Sequence, residues 1–386
     1  MVNYPKDWRL VEIEDIFTVT RGQVLSTEKI KDSKSSTYRY PVYSSQTLNN
    51  GLLGYYNDYL FKDAITWTTD GANAGDTNYR KGNFYCTNVC GVLLNNEGYA
   101  NECIAAIINS ISIKYVSYVG NPKLMNNVVK KIKICIPEPK EQQAIAETLI
   151  TFDKHIENLS KLIEKKKMIR DGAVEDLVSG KKRLSNFSGK WDYKPVKSIT
   201  KDVITGGTPS TNIKEYWGGS VPWLASTEIH QKNIRNATKN ISDLGLLNSS
   251  AKIAPKDSVL IALAGQGKTR GTAAILGKDM AINQSLAALV CNEDNYYKFL
   301  FYAIEMNYEA LRELSSGDGG RGGLNKKLIK EFKINISSDK NEQIAIANIL
   351  SSMDKEIENL EKEKEKYQQL KSGAMDDLLT GKIRLV

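Results

Sequence analysis

Along residues 145–163 apolar side chains return at alternating steps of four and three: Ile145, Leu149, Phe152, Ile156, Leu159 and Ile163. The same rhythm comes back at Ile346, Leu350, Met353, Ile357 and Leu360, and runs on through Tyr367, Leu370, Ala374 and Leu378. Charged residues fill the flanks, so each stretch predicts an amphipathic helix with a coiled-coil seam. Pro137-Glu138-Pro139 closes the segment before the first helix, because proline inside a helix removes a hydrogen bond and clashes with the preceding turn. Gly180 and Gly381 supply C-terminal caps, and the basic residues after them (Lys181, Lys182, Arg183; Lys382, Arg384) suit the negative end of a helix dipole. Each helix then runs roughly 38 residues, about 57 Å at 1.5 Å per residue.

The seams belong to a longer repetition. Glu141-Gln142-Gln143-Ala144-Ile145-Ala146 returns as Glu342-Gln343-Ile344-Ala345-Ile346-Ala347 at an offset of 201, and the register holds to the end of the chain. Asp153-Lys154 matches Asp354-Lys355, and Gly180-Lys181-Lys182-Arg183-Leu184 matches Gly381-Lys382-Ile383-Arg384-Leu385. A helical unit repeated once, each copy preceded by a globular block, implies internal two-fold pseudo-symmetry and a target that itself comes in two halves. Gly172 and Gly373 occupy matching positions near the helix ends, where glycine costs about 1 kcal/mol relative to alanine. They mark either a bend or fraying last turn, or a close helix–helix approach.

The blocks carry a different periodicity. Short β-like runs (Ile65–Thr68, Cys90–Leu94, Lys131–Ile136) stand among glycine- and asparagine-rich turns in the first, and Ser258–Ala264 with Phe332–Ile336 play that part in the second. One helix is expected in each block, near Glu102–Ser110 and Tyr296–Leu314. The fold class is therefore mixed α/β, of the α+β kind. Two globular domains (1–139 and 191–338) alternate with long helices (140–180 and 339–380), with a linker at 181–190 and a tail at 381–386. Both blocks open on a tryptophan, Trp8 and Trp191, and end in a basic strand-like segment, so the duplication reaches the block ends while the interiors have diverged.

Composition narrows the class. The 386 residues are 41% hydrophobic and 25% charged, with no apolar run long enough for a membrane span and no signal-like segment at the start. Five scattered cysteines fit a reducing cytosol. The formal charge of +8 is unevenly placed. Residues 1–140 hold 16 Lys+Arg against 13 Asp+Glu, and residues 191–340 hold 20 against 15, while the repeated helices sum to zero. A polyanion partner would therefore be met by the blocks rather than the helices.

Enzymatic readings fail on spacing. Gly265-Gln266-Gly267-Lys268-Thr269 follows an apolar strand like a phosphate loop, but the required first glycine is Ala262, and the segment after it is β-leaning rather than helical. The one Asn-Pro, Asn121-Pro122, lacks the second proline and aromatic of a methyltransferase motif. Glu331-Phe332-Lys333 has the spacing of a nuclease Glu-x-Lys pair without an upstream strand aspartate, and reads as a charged edge strand. Cys86 and Cys90 have no second zinc-spaced pair, and His155 and His230 lack convergent partners. No catalytic residue, metal or cofactor is expected.

Glu-Gln-x-x-Ile-Ala opening a long heptad helix that ends in Leu-x-x-Gly-Lys-x-Arg-Leu, twice over, resembles the specificity (S) subunits of Type I restriction–modification systems. Thr205–Thr211, Tyr216–Leu224, Lys268–Gly271 and Asn325–Ile329 look like segments of that family's target recognition domains, as do Pro41–Ser45 and Gly51–Tyr56 in the first block. The resemblance covers the whole chain. It implies that each block reads one half of a bipartite double-stranded DNA site and that the two helices pair antiparallel and set the gap. It also implies that two methyltransferase subunits and motor–nuclease subunits assemble on a chain with no chemistry of its own, working in the cytoplasm.

Side chains able to grip two acceptors or donors at once are the candidates for base contact: Ser44, Ser45, Gln46, Asn73 and Arg80 in the first block, and Thr208, Ser210, Lys268, Arg270, Asn283, Gln284 and Arg321 in the second. For each, turn chemistry or a surface charge is the competing role. Two other readings of the whole chain compete: a coiled-coil scaffold for proteins with incidental basic charge, and a specificity partner of another methyltransferase–nuclease architecture.

Overall fold

Apolar runs too short for helices become the central strands, and the apolar stripes of the helices close over them. The computed structural model describes residues 4–45, 48–265, 267–314 and 323–385. The chain forms two units, residues 1–161 with 361–386, and residues 162–360.

In the first unit the elements are β1 (Arg9–Glu12), α1 (Ile13–Ile16), β2 (Thr18–Arg21), β3 (Tyr40–Tyr43), β4 (Leu52–Tyr56), β5 (Phe61–Thr68), β6 (Thr77–Cys86), β7 (Cys90–Leu94), α2 (Glu102–Ser112), α3 (Asn126–Lys130), β8 (Lys133–Ile136) and the long helix α4 (Pro139–Val178). Six strands form a sheet in the order β2-β7-β5-β6-β3-β4, all neighbours antiparallel except β3 with β6. β1 pairs separately with β8. Ile65, Trp67 and Leu93 point from one face into a core shared with Ile104, Ile107 and Ile108 of α2. Gly91 is required there, because a Cβ would lie 2.1 Å from the Trp67 ring.

The second unit repeats this plan with β9 (Trp191–Pro195), α5 (Val196–Ile199), β10 (Thr200–Thr205), β11 (Trp217–Leu224), β12 (Asn233–Ile234), β13 (Lys239–Ile241), α6 (Asp243–Leu247), β14 (Lys252–Ala254), β15 (Val259–Ala262), β16 (Ala273–Leu276), β17 (Met280–Ile282), β18 (Leu286–Cys291), α7 (Tyr297–Met306), α8 (Tyr308–Leu314), α9 (Lys326–Glu331), β19 (Lys333–Ser337) and the second long helix α10 (Lys340–Leu378). Its strands split into a five-stranded sheet, β10-β18-β15-β16-β12, and a four-stranded one, β13-β11-β17-β14, with β19 pairing β9. β2-β7-β5-β6 thus corresponds to β10-β18-β15-β16, and the parallel pair β3–β6 to β11–β17.

Local physics moved several expected boundaries. α4 takes in Pro139 itself, since the first helical turn has no hydrogen bond for proline to lose. The helix expected over Tyr296–Leu314 breaks at Asn307, whose side chain donates to the Ala303 carbonyl at 2.8 Å. β8 starts at Lys133 rather than Lys131, because α3 and its closing turn occupy the preceding residues. Gly172 and Gly373 do not mark close packing: a Cβ at either meets nothing within 4 Å, and both helices run on unbroken.

Within each unit α4 and α10 pair antiparallel. In the first, Asp153 receives Lys371 at 2.5 Å while the His155 ring lies 4.0 Å from that of Tyr367. In the second, Lys166 meets Glu356 at 2.6 Å, and Arg170 meets Asp354 at 3.0 Å. Along the seam Ile145, Leu149, Leu159, Ile346, Leu350 and Ile357 are buried, and Phe152, Ile156, Met353 and Leu360 half-buried. The opening turns do more than face the other helix. Ile145 and Leu149 join the core of the first block, and Ile346 and Leu350 that of the second.

The repeated Glu-Gln and Gly-Lys-x-Arg-Leu segments meet each other. Glu141, fully buried, accepts Trp8 Nε1 at 3.0 Å and Arg384 Nε and Nη2 at 2.6 and 2.8 Å. Glu342, equally buried, accepts Trp191 Nε1 at 3.1 Å and Arg183 Nε and Nη2 at 2.6 and 2.9 Å, with Ser337 Oγ at 2.5 Å. The adjacent glutamines bridge to the ends of the strands before them, Gln142 to the Pro137 carbonyl and Gln343 to that of Ser337, each at 2.9 Å. Only the lysines after each cap serve the helix they follow, Lys181 and Lys182 pairing with Glu175 and Asp176. The arginines instead cross over and clasp the first turn of the opposite helix.

Candidate nucleic-acid interface

Matching backbone hydrogen bonds identify equivalent loops at one end of each main sheet. Gln23 N donates to the Cys86 carbonyl at 3.1 Å, and Gly207 N to that of Ile282 at 3.0 Å. Thr69 N reaches the Val89 carbonyl at 3.0 Å, as Leu263 N reaches that of Ser285 at 2.8 Å. Leu124 N then closes on the Thr69 carbonyl at 2.9 Å, and Leu324 N on that of Leu263 at 3.1 Å. In each unit the same four segments therefore leave the sheet together: after β2 or β10, after β5 or β15, before β7 or β18, and before α3 or α9.

In the second unit this end gathers most of the expected residues. Thr208, exposed in the first of these loops, donates to Gln284 Oε1 at 2.7 Å. Asn283 is buried, and its side chain accepts from Ser285 N at 3.1 Å, so it shapes the turn that presents Gln284 rather than offering itself. Ser210 is exposed, its carbonyl taken by Trp217 Nε1 at 3.1 Å. Lys268 is exposed and Arg270 half-buried in the loop from β15 to β16. That loop is held from beneath: Tyr308 donates to the Lys268 carbonyl at 2.9 Å and Arg312 to that of Gly267 at 2.7 Å. Gln46 and Arg321 lie outside the described residues.

The phosphate-loop alternative fails on the element after the loop, because the chain enters strand β16 there and not the helix that such a motif requires. Glu331 pairs with Lys197 at 2.8 Å at the end of α9, leaving Lys333 over the Tyr193 ring, so the pair holds neighbouring elements together. Burial pushes the Cys90 thiol up to about 11 and that of Cys86 higher still.

In the first unit Asn73 belongs to the turn from β5 to β6, its carbonyl accepting from Asp76 N at 3.0 Å. Ser44 follows β3 and its hydroxyl accepts from Thr87 Oγ1 at 3.1 Å, which brings it to the same sheet end, with Ser45 half-buried beside it. The loop equivalences add positions that pattern reading passed over. Thr87 matches Asn283, both buried, and Asn88 matches Gln284, both exposed; exposed Gln23 and Ser26 stand where Gly207 and Ser210 stand. Gly22, Ser26 and Thr27 do repeat Gly206, Ser210 and Thr211, but Gln23-Val24-Leu25 in place of Gly207-Thr208-Pro209 hid the match from pattern reading.

Arg80 proved the least ordinary of the expected residues. It is 8% exposed, its Nε donates to Thr66 Oγ1 at 3.0 Å, and its guanidinium carbon lies 3.8 Å from the centre of the Tyr43 ring. Burial depresses its pKa from the usual arginine value. Arg170 offers the contrast: similarly buried, it pairs with Glu305, Asp354 and Asp171. Among the described residues none of the helices is long and apolar enough to cross a membrane.

The sequence matches the family described as "Type I restriction modification DNA specificity domain" over residues 5–166 and again over residues 189–369. A putative type I specificity subunit of Mycoplasma pneumoniae is 28% identical over 381 residues, covering 94% of this chain and 96% of its own. The N-terminal part of another, from the same organism, is 40% identical over 144 residues, which make up 36% of this chain and 75% of that relative. Among solved structures, the S subunit of a type I restriction–modification system from M. genitalium superposes with a TM-score of 0.70 at 18% identity, over 98% of this chain and 97% of that one. A chain solved in work on assembly and conformational transition of the type I system gives 0.61 at 13% identity, over 99% and 100%.

Proposed function

The chain belongs to the type I restriction modification DNA specificity family, and from that membership we propose that it directs such a system to a bipartite double-stranded DNA sequence, each unit reading one half-site. As a specificity subunit it supplies recognition, while methyl transfer and cleavage belong to the methyltransferase and restriction subunits of the complex. The observation that carries this reading is the duplicated sheet end, where four equivalent loops converge in each unit on different polar side chains. A shared frame with divergent loops fits two readers of two different half-sites.

The mechanism is selection by binding. Exposed cations such as Lys268 neutralise phosphates and position the loops. Side chains such as Gln284, Thr208, Asn88 and Gln23 meet base edges, a good bidentate contact contributing about 1–3 kcal/mol of discrimination. Two methyltransferase subunits would each find an equivalent helical surface, because the exposed Lys154, Glu157, Asn158 and Lys161 recur as Lys355, Glu358, Asn359 and Lys362. A motor–nuclease joins that assembly, and the work is done in the cytoplasm, where the DNA is.

The test is to express the chain with its methyltransferase partner in a naive host and map methylated adenines by long-read sequencing. Marks at one bipartite motif, lost when the chain is omitted, support the reading. Identical marks with and without the chain in an active complex reject it in favour of a protein scaffold.

A further inference from the structure

Arg80 is a buried cation without a counter-ion among the described residues. Among the described residues no carboxylate forms an ion pair with it; Asp76 and Glu102 act on it only from beyond ion-pair reach, and the Tyr43 side chain is its nearest polar neighbour besides Thr66. The bond it donates to Thr66 leaves through Nε, and the Tyr43 ring lies against the guanidinium. Both contacts fix the orientation of the group, and neither uses the two terminal nitrogens as a pair. Those nitrogens are also absent from the enclosed polar atoms that lack partners, which among the described residues are Asn126 Oδ1 and His155 Nε2. They therefore keep a share of solvent. The group sits beside the candidate surface: Ser44, which Thr87 holds at the sheet end, directly follows Tyr43 in the chain.

A folded chain has little reason to bury a guanidinium, hold its plane and leave its fork empty. Among the described residues the equivalent face in the second unit has no such group, being closed by Leu260, Ala262, Ala274 and Leu286. Unpaired buried charge opposes folding, so retaining it points to a partner that arrives from outside. A fork of two parallel N–H donors fits two coplanar acceptors, such as the O6 and N7 of guanine or two oxygens of a phosphate. With orientation set in advance, binding loses little side-chain freedom.

We propose that Arg80 is a pre-aimed DNA contact, whose open fork takes a two-acceptor edge of the first unit's half-site. This rests on the specificity-subunit reading above.

The experiment compares the full chain with its Arg80→Met and Arg80→Lys variants, each co-expressed with the methyltransferase partner. The motif mapped with the unaltered chain supplies the duplex probe; if that chain directs no motif, the specificity reading fails and not this one. Thermal unfolding of each variant is measured first, then binding to the probe, to its single-base variants in the first half-site, and across salt concentrations. The expected result is an unfolding temperature for Arg80→Met equal to or above that of the parent, with DNA affinity at least ten-fold weaker. If the source is guanine, discrimination at one base pair collapses in both variants while the salt slope stays. If it is phosphate, all sequences weaken together, Arg80→Met makes the slope shallower by about 0.9, and Arg80→Lys retains it. Affinity and base preference unchanged in folded variants would overturn the proposal. So would a clear loss of stability in both variants, since Arg80 would then be holding the sheet rather than waiting for DNA.

Discussion

Truncating Arg183 to alanine removes two charge-assisted bonds, at 2.6 and 2.9 Å, from a carboxylate with no exposure to water. Bonds to charged groups contribute about 1.5–3 kcal/mol each, but not all of that is lost. The Arg183 side chain is 33% exposed, so water refills part of its place, and Trp191 and Ser337 still donate to Glu342. The resulting cost is about 2–3 kcal/mol, at the low end for breaking a buried pair. At about 2–4 °C per kcal/mol, the affected transition should fall by roughly 5–10 °C. Thermal and urea unfolding of Arg183→Ala, Glu342→Gln and the double variant would measure it. The cycle should return a coupling of about 1.5–3 kcal/mol, because the residues touch and share partners. Additive losses, or less than about 0.5 kcal/mol for Arg183→Ala, would refute the clasp. Trp191 and Ser337 would then hold Glu342 unaided, and the duplicated Gly-Lys-x-Arg-Leu would need another explanation.

Gly172→Ala and Gly373→Ala should each raise stability by about 0.4–1 kcal/mol, because the new methyl meets open space in a continuous helix; calorimetry checks this, and destabilisation would mean the backbone there departs from the helix. Lys268→Ala should leave folding and any response to ATP unchanged but flatten the salt dependence of DNA binding by about 0.9, read by fluorescence anisotropy; a nucleotide-dependent stability that the substitution abolishes would restore the phosphate-loop reading. At pH 8 the native thiols should react with Ellman's reagent far more slowly than in guanidinium, since burial holds Cys90 near 11 and Cys103 and Cys291 near 12. A burst from Cys103 in the native protein would contradict its burial.

The long helices were legible because their signal is periodic and local: the seam spacing, the proline start and the glycine caps lie within the segment they specify. Glu141 and Arg384 were equally visible as repeated letters, yet their partnership was not, since it spans a sequence separation of 243. Periodicity assigned those arginines to the nearest helix end; the fold gives them to the farther helix, where a buried carboxylate outweighs a solvated dipole. Arg80 could be chosen for its chemistry, but only the fold distinguishes a recessed arginine from a surface one.

The block interiors were harder, and the reason is visible in two glycines. A Cβ on Gly22 would lie 2.2 Å from the Thr87 carbonyl oxygen, and one on Gly206 would lie 1.7 Å from that of Ile282. Each is the crossing where the strand after the first small helix passes tightly under the loop before β7 or β18. Beyond them the exposed residues, Gln23 and Val24 in one unit and Thr208 in the other, face outward at the sheet end and share no packing requirement, although Gly207 is itself buried against Ser250. A crossing that tolerates only glycine, beside loops that tolerate almost anything, can keep the frame fixed while the exposed side chains vary. Sequence comparison of the two blocks sees mainly the variable part. The duplication inside them is therefore held in backbone register and in a few shared residues, Gly22 with Gly206, Ser26 with Ser210 and Leu124 with Leu324, while most of the rest has diverged. The exposed positions that differ, Val24 and Asn88 against Thr208 and Gln284, lie at the surface where two half-sites could be told apart.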